Sequence, residues 1–287
     1  MWFLYALLSA LLASFRKVND KHLSHTVHHL HLAWMTKVAT VPILGLLALM
    51  TDQLTPTAPL NAVFWVSILL CVFVTAPIDT AVYLHSLKHG QLSKTAPLMV
   101  LWPAAMLVSG AIFLGQIPSV AAVAAVLTII AGVYVLNTSN GSTNMLRNIW
   151  GDRGTRFGLI GVGTVSLNTT LGAIAIAHSA PLFCAFWSTL GAILVQFVYA
   201  QVVAPGNFRQ APMRLLAQNG MIQGVATALY LSAVAIGPLG YVAAVRSLSA
   251  PFSAVLGARV FKEGMGRRKI TALCLITLGA LLLGLVS

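Results

Sequence analysis

Charge is what this chain has least of. Charged residues fill 8% of its 287 positions, with 5 Asp and Glu against 17 Lys and Arg. Soluble domains carry roughly a quarter charged residues, so a water-facing surface cannot be covered from this supply. Cysteine is scarce as well. Cys71, Cys184 and Cys274 lie far apart inside apolar runs without C-x-x-C spacing, which leaves neither a disulfide framework nor a zinc site. No nucleophile elbow, P-loop, H-E-x-x-H or pair of catalytic carboxylates occurs. Enzyme chemistry and direct ATP drive therefore lack a foothold, and no cofactor is implied. No basic residue precedes the apolar start at Trp2, so no separate signal peptide is expected.

What the chain has in abundance is apolar length. Hydrophobic residues make up 58%, and the mean hydropathy is +0.88. A spanning helix needs about 20 mostly apolar residues. By that measure ten candidates fall near 2–22, 30–50, 62–84, 93–115, 118–137, 157–178, 181–202, 219–237, 240–261 and 268–286. This predicts an all-α, multi-pass membrane protein whose surroundings are the lipid bilayer. The net charge of +12 invites a nucleic-acid reading. Nucleic-acid binders gather basic residues on one face, however, whereas here they sit in short gaps between apolar runs. No nucleic-acid partner is expected.

Fifteen of the seventeen basic residues flank alternate connections: Arg16, Lys17 and Lys21; Lys88 and Lys94; Arg147, Arg153 and Arg156; Arg209 and Arg214; Arg259, Lys262, Arg267, Arg268 and Lys269. Ten spans predict that alternation, and the excess of positive charge places these loops in the cytoplasm and both termini outside. The chain also resembles itself. A shift of 152 residues sets Ser14 on Ser166, Phe15 on Leu167, Ala33 on Ala185 and Trp34 on Phe186, and Leu101-Trp102-Pro103 stands opposite Leu248-Ser249-Ala250-Pro251 to within one residue. The reading is two five-helix copies, residues 1–137 and 157–287, joined by a linker over 138–156. Five is odd, so two copies in one chain enter the membrane in opposite orientations, as inverted repeats.

From Tyr83 to Asn137 the sequence runs Tyr-Leu-x-x-Leu-Lys-x-Gly, then Leu92-Ser93-Lys94-Thr95-Ala96-Pro97-Leu98, Pro103, Ile112-Phe113-Leu114-Gly115-Gln116, Pro118-Ser119 and Gly132-Val133-Tyr134-Val135-Leu136-Asn137. With Asn19-Asp20-Lys21, Asp152-Arg153-Gly154 and Pro181-Leu182-Phe183, this resembles the drug/metabolite transporter superfamily, specifically its EamA-like ten-helix members. The resemblance implies alternating-access transport of a small-molecule metabolite, usually outward. The chain departs from the pattern in four places. Gln116 replaces the usual acid after Gly115; Ala180 stands where a serine is expected; the Asp20-Lys21 pair falls on Gly172-Ala173 in the second copy; and the family usually keeps its termini in the cytoplasm.

Ionisable groups at membrane depth are the first candidates for the substrate path. Asp79 follows Pro77 in the third span and is a candidate to bind a proton or a cation, or else to pair with Lys37 or Arg246. Arg246, in the ninth span, suits a bidentate clamp on a carboxylate or phosphate, or an ion pair. Lys37 either lines the path or snorkels. Ser14 and Asn168 add polar groups, the latter a buried amide that needs partners. Trp102 is placed to stack on a substrate ring or to pack, and its Leu-Trp-Pro step is similar to that of aromatic amino-acid exporters in the superfamily. Pro103 and Pro251 are the hinge candidates. Arg16 and Asp20 lie four apart and can pair at a solvated helix end or at the mouth of the path. His22, His25, His28, His29 and His31 have spacings, such as His25 to His29, that suit a zinc or nickel ion if helical, though no acid beyond Asp20 joins them. The expected function is export of an amino acid or organic acid across a bacterial cytoplasmic membrane. The alternatives are a proton-driven organic-cation exporter using Asp79 and a metal carrier or sensor using the histidines.

Overall fold

Gly and Pro mark where the helices stop. The computed structural model describes residues 1–24, 26–56, 60–75, 78, 101–137, 153–205, 212–260 and 266–286, and among these it is helical without strands. Helix α1 runs Trp2–Ser24 and α2 His29–Met50; α3 covers Ala62–Leu69 and continues as a π turn over Leu70–Thr75. Then come α4 (Trp102–Leu114), α5 (Val120–Asn137), α6 (Arg153–Ala177), α7 (Pro181–Val203), α8 (Met213–Ile236), α9 (Leu239–Arg246), α10 (Ser249–Val260) and α11 (Arg267–Val286). Four described stretches, Leu30–Met50, Ile160–Ala177, Pro181–Val203 and Met213–Ile236, are long and apolar enough to cross a membrane. Leu46, Phe73, Ile112, Leu194 and Val202 are each more than half exposed, an apolar surface suited to lipid. The protein is an integral, multi-pass membrane protein.

The ninth expected span, 240–261, departs from the expectation of one helix. It is interrupted at Ser247 and Leu248, between α9 and α10. The Ser247 N–H points at both Ala243 and Ala244 oxygens, and Leu248 N–H donates to Val245 O at 3.0 Å, so the last turn of α9 tightens. Pro251 has no N–H to continue the ladder and falls in the first turn of α10, where none is needed.

The chain forms two compact units, and each draws helices from both sides of the expected linker. The first comprises Met1–Pro77 and Leu171–Ile236; the second Ile78–Thr170 and Gly237–Ser287. In the first unit α8 packs on α1 and α2, and α2 also packs on α7. Leu44 and Ala48 of α2 meet Leu182 and Ala185 of α7 and Ala228 of α8 in a buried cluster. Gly220 lets α8 approach α2 at Ala39, where a Cβ would not fit.

In the second unit α5 packs on α11 and α4 on α9. The α5–α11 contact is reciprocal and antiparallel: Gly132 faces Ile276, and Gly279 faces Ile129. A Cβ on Gly132 would lie 2.9 Å from the Ile276 backbone nitrogen, and one on Gly279 would lie 2.8 Å from Ala125 O. Only glycine permits that approach.

Two connections end alike. Asp52 (φ 55°) after α2 and Gly115 (φ 65°) after α4 adopt the left-handed conformation that terminates a helix. Each is followed by a glutamine that caps a later helix of its own unit. Gln53 Oε1 accepts from Leu182 N–H of α7 at 3.2 Å, and Gln116 Oε1 accepts from Leu239 N–H of α9 at 2.8 Å. First-turn N–H groups have no partner inside their own helix, so these side chains satisfy donors that an apolar medium would penalise.

Candidate functional site

Polar groups gather at two places, one in each unit. In the second unit they lie along α4, on the facing stretch of α6 and at the interruption of the ninth span. Trp102 is the first residue of α4, directly after Leu101, which is itself in right-handed helical conformation. Its indole Nε1 is buried and, among the described residues, has no hydrogen-bond partner. Pro103 beside it is buried. Arg246 is half-buried in the last turn of α9, immediately before the interruption. Two turns along α4 from Trp102, Ser109 Oγ lies 3.1 Å from Ser166 Oγ and accepts from Thr170 Oγ1 at 2.8 Å. This hydroxyl cluster ties α4 to α6. Asn168 is half-buried on the same stretch of α6.

In the first unit a polar seam joins α1 to α8. Asn219 Nδ2 donates to Asp20 Oδ1 at 2.6 Å, and Arg16 Nη1 donates to Gln223 Oε1. Arg16 Nε lies 3.3 Å from Asp20 Oδ2, and Gln223 Nε2 donates to Thr227 Oγ1 at 3.2 Å. Farther along, Ser9 Oγ donates to Ala226 O at 2.8 Å. Residue numbers rise on α8 as they fall on α1, so the helices are antiparallel. Arg16 and Asp20 are therefore part of an interhelical network, and the reading of a solvated helix end misses their partners. Asn219, Gln223 and Thr227 recur every four residues on an otherwise apolar span, and that spacing was the sequence signal for them.

The remaining candidates are dispersed. Ser14 is buried, with its Oγ donating to Leu11 O of its own helix at 2.5 Å. Lys37 is half-buried on α2. Pro251 is buried in the first turn of α10. Asp79, and the side chains of His22, His25 and His29, lie outside the described residues. His28 is exposed, and no group of three metal-ligating side chains occurs among the described residues. His31 is buried between Ala204 O, 2.8 Å from its Nε2, and the Trp34 indole N–H, 3.2 Å from its Nδ1. Both ring nitrogens are thus occupied in holding α2 to the end of α7.

The sequence profile of the EamA-like transporter family matches residues 1–138 and 153–285. No curated protein matches the chain. Among solved structures, one crystal structure superposes with a TM-score of 0.80 over 99% of this chain and 96% of the other, at 15% identity. That likeness extends to the fold.

Proposed function

Because the chain belongs to the EamA-like transporter family, whose members carry small solutes across membranes, we propose that it exports a small carboxylate-bearing metabolite, an amino acid or organic acid, by alternating access. The observation that carries this reading is the buried indole N–H of Trp102, which has no hydrogen-bond partner among the described residues. Leaving a buried donor unsatisfied costs about 1–3 kcal/mol, a cost that a bound acceptor would remove. Arg246 supplies the same chemistry at the end of α9, beside the discontinuity in the ninth span. Discontinuous helices with half-helix termini facing solute are the usual construction of midplane sites in carriers. The interruption at Ser247–Leu248, with Pro251 restarting the helix, is the point at which this span would bend.

Two inverted five-helix copies complete the reading. Gly132 and Gly279, and likewise Ile129 and Ile276, are both 147 residues apart and meet reciprocally, as two copies related by a two-fold axis would. The basic connections are cytoplasmic in this arrangement, and the outward direction follows the family's habit.

Exchange in proteoliposomes preloaded with labelled amino acids and organic acids tests the proposal. Trp102→Phe keeps the ring and deletes the donor. Loss of a hydrogen bond to a charged group is worth about 1.5–3 kcal/mol, so KM for the carried solute should rise roughly tenfold or more. Arg246→Gln should weaken transport of carboxylates selectively. Unchanged kinetics in both variants would sink this site, and transport of organic cations in place of carboxylates would sink the substrate class.

A further inference from the structure

Arg16 is held from two directions and open in a third. Gln223 of α8 takes one hydrogen of Nη1, and Asp20 lies against Nε at 3.3 Å. Among the described residues these are its partners, and its side chain remains 32% exposed. Asp20 is fixed in turn, since its other oxygen receives the amide of fully buried Asn219. An ordinary i,i+4 surface pair is free to swing and recruits nothing from a second helix. Here α8 contributes two amides that immobilise the pair. The end-on edge of the guanidinium, one hydrogen from Nη1 and the hydrogens of Nη2, is left uncommitted. Two nitrogens spaced in that way match the two oxygens of a carboxylate. Lys17 and Arg214, exposed at the same ends of α1 and α8, add positive charge around the opening.

We propose that Arg16, presented by Asp20 and Gln223, is a second binding site, taking the carboxylate of a small organic anion at the basic end of the α1–α8 pair. It differs from the Trp102 and Arg246 region in belonging to the other compact unit. Its purpose rests on the carboxylate-transport reading; its existence does not. Asp20 is an internal competitor in this arrangement. It already neutralises Arg16, which keeps the affinity low enough for a solute to leave.

The test is arginine-selective labelling of the full-length chain in lipid nanodiscs with phenylglyoxal, followed residue by residue by mass spectrometry. Sodium succinate and sodium glutamate are the probes, and sodium chloride at matched ionic strength is the control. Arg16 should be labelled several-fold more slowly with either carboxylate than with chloride. Asp20→Asn removes the competitor and should lower the concentration needed for half-protection by up to about fivefold, the factor corresponding to an exposed ion pair. Gln223→Ala frees the guanidinium and should raise that concentration, which tests the site without touching either charge. Equal labelling in carboxylate and chloride would overturn the proposal. So would protection that ignores both substitutions. Protection of Arg246 without protection of Arg16 would end this site and leave the transport reading intact. Protection at Arg16 with unchanged transport by Trp102→Phe and Arg246→Gln would do the reverse.

Discussion

The α1–α8 seam and the α5–α11 seam solve one problem by opposite means. Helices in lipid gain nothing from hiding apolar side chains, since the surroundings are equally apolar, so they must associate through close packing or polar contacts. The α5–α11 pair is joined by close packing: two glycines, each facing an isoleucine of the partner helix. The α1–α8 pair uses an acid, an arginine and two amides. Packing of the first kind is stiff and offers a solute nothing. Contacts of the second kind can be exchanged for contacts with a solute. A carrier needs both, and α8 carries both: Gly220 packs against Ala39 of α2, while Asn219 and Gln223 bond to α1.

Breaking the glycine seam should have the largest effect. Gly132→Ala and Gly279→Ala each place a methyl against backbone, 2.9 Å from Ile276 N and 2.8 Å from Ala125 O, where no side-chain rotation gives relief. Overpacking of that kind costs about 1–3 kcal/mol, so thermal unfolding in detergent should shift down by several degrees for each. Ile276→Ala should recover only part of the loss in Gly132→Ala, because the backbone contact remains. A neutral result would show that the helices separate without cost, and the contrast between the seams would disappear.

The polar seam should respond differently. Asn219→Ala removes one donor from Asp20, and interhelical hydrogen bonds in membranes are worth about 0.6–1.7 kcal/mol. Stability should fall by that amount, while carboxylate protection at Arg16 changes more than stability does. If stability and protection fell together, the seam would be structural only.

The two glutamine caps give a finer comparison. Gln53→Leu and Gln116→Leu each strand one N–H at a helix start, for about 1 kcal/mol apiece. Measured by hydrogen exchange, the first should loosen the start of α7 and the second the start of α9. Ser109→Ala should be mildest, at roughly 0.6 kcal/mol, since Thr170 Oγ1 keeps its bond to Ser166 O. Thermal unfolding of that variant within a degree or two of the parent is the expected outcome.

Much of the fold was legible in the residues. The apolar runs at 30–50 and 181–202 become α2 and α7 almost unchanged, because about 20 apolar residues in lipid must satisfy their backbone groups as a helix. The interruption at Ser247–Leu248 was not legible. Pro251 marks a weak point in the span, but residue order alone does not separate a kinked continuous helix from a broken one. Trp102 was singled out from sequence, but for its ring. Its unpartnered N–H depends on which acceptors the folded chain brings near. Asn219 and Gln223 were passed over because an amide in an apolar span gains meaning only from the helix opposite.

The sequence by itself determined that this chain lives in lipid, roughly where its apolar spans lie, and which connections carry positive charge. These follow from transfer free energies and backbone chemistry, which act residue by residue. The tertiary structure alone decided which helices pair across 200 residues of chain, that Arg16 has Gln223 as well as Asp20 to hold it, and that the Trp102 donor has no partner among the described residues. A hydrogen bond or a glycine contact is a property of two surfaces in register, and register is set only when the helices meet.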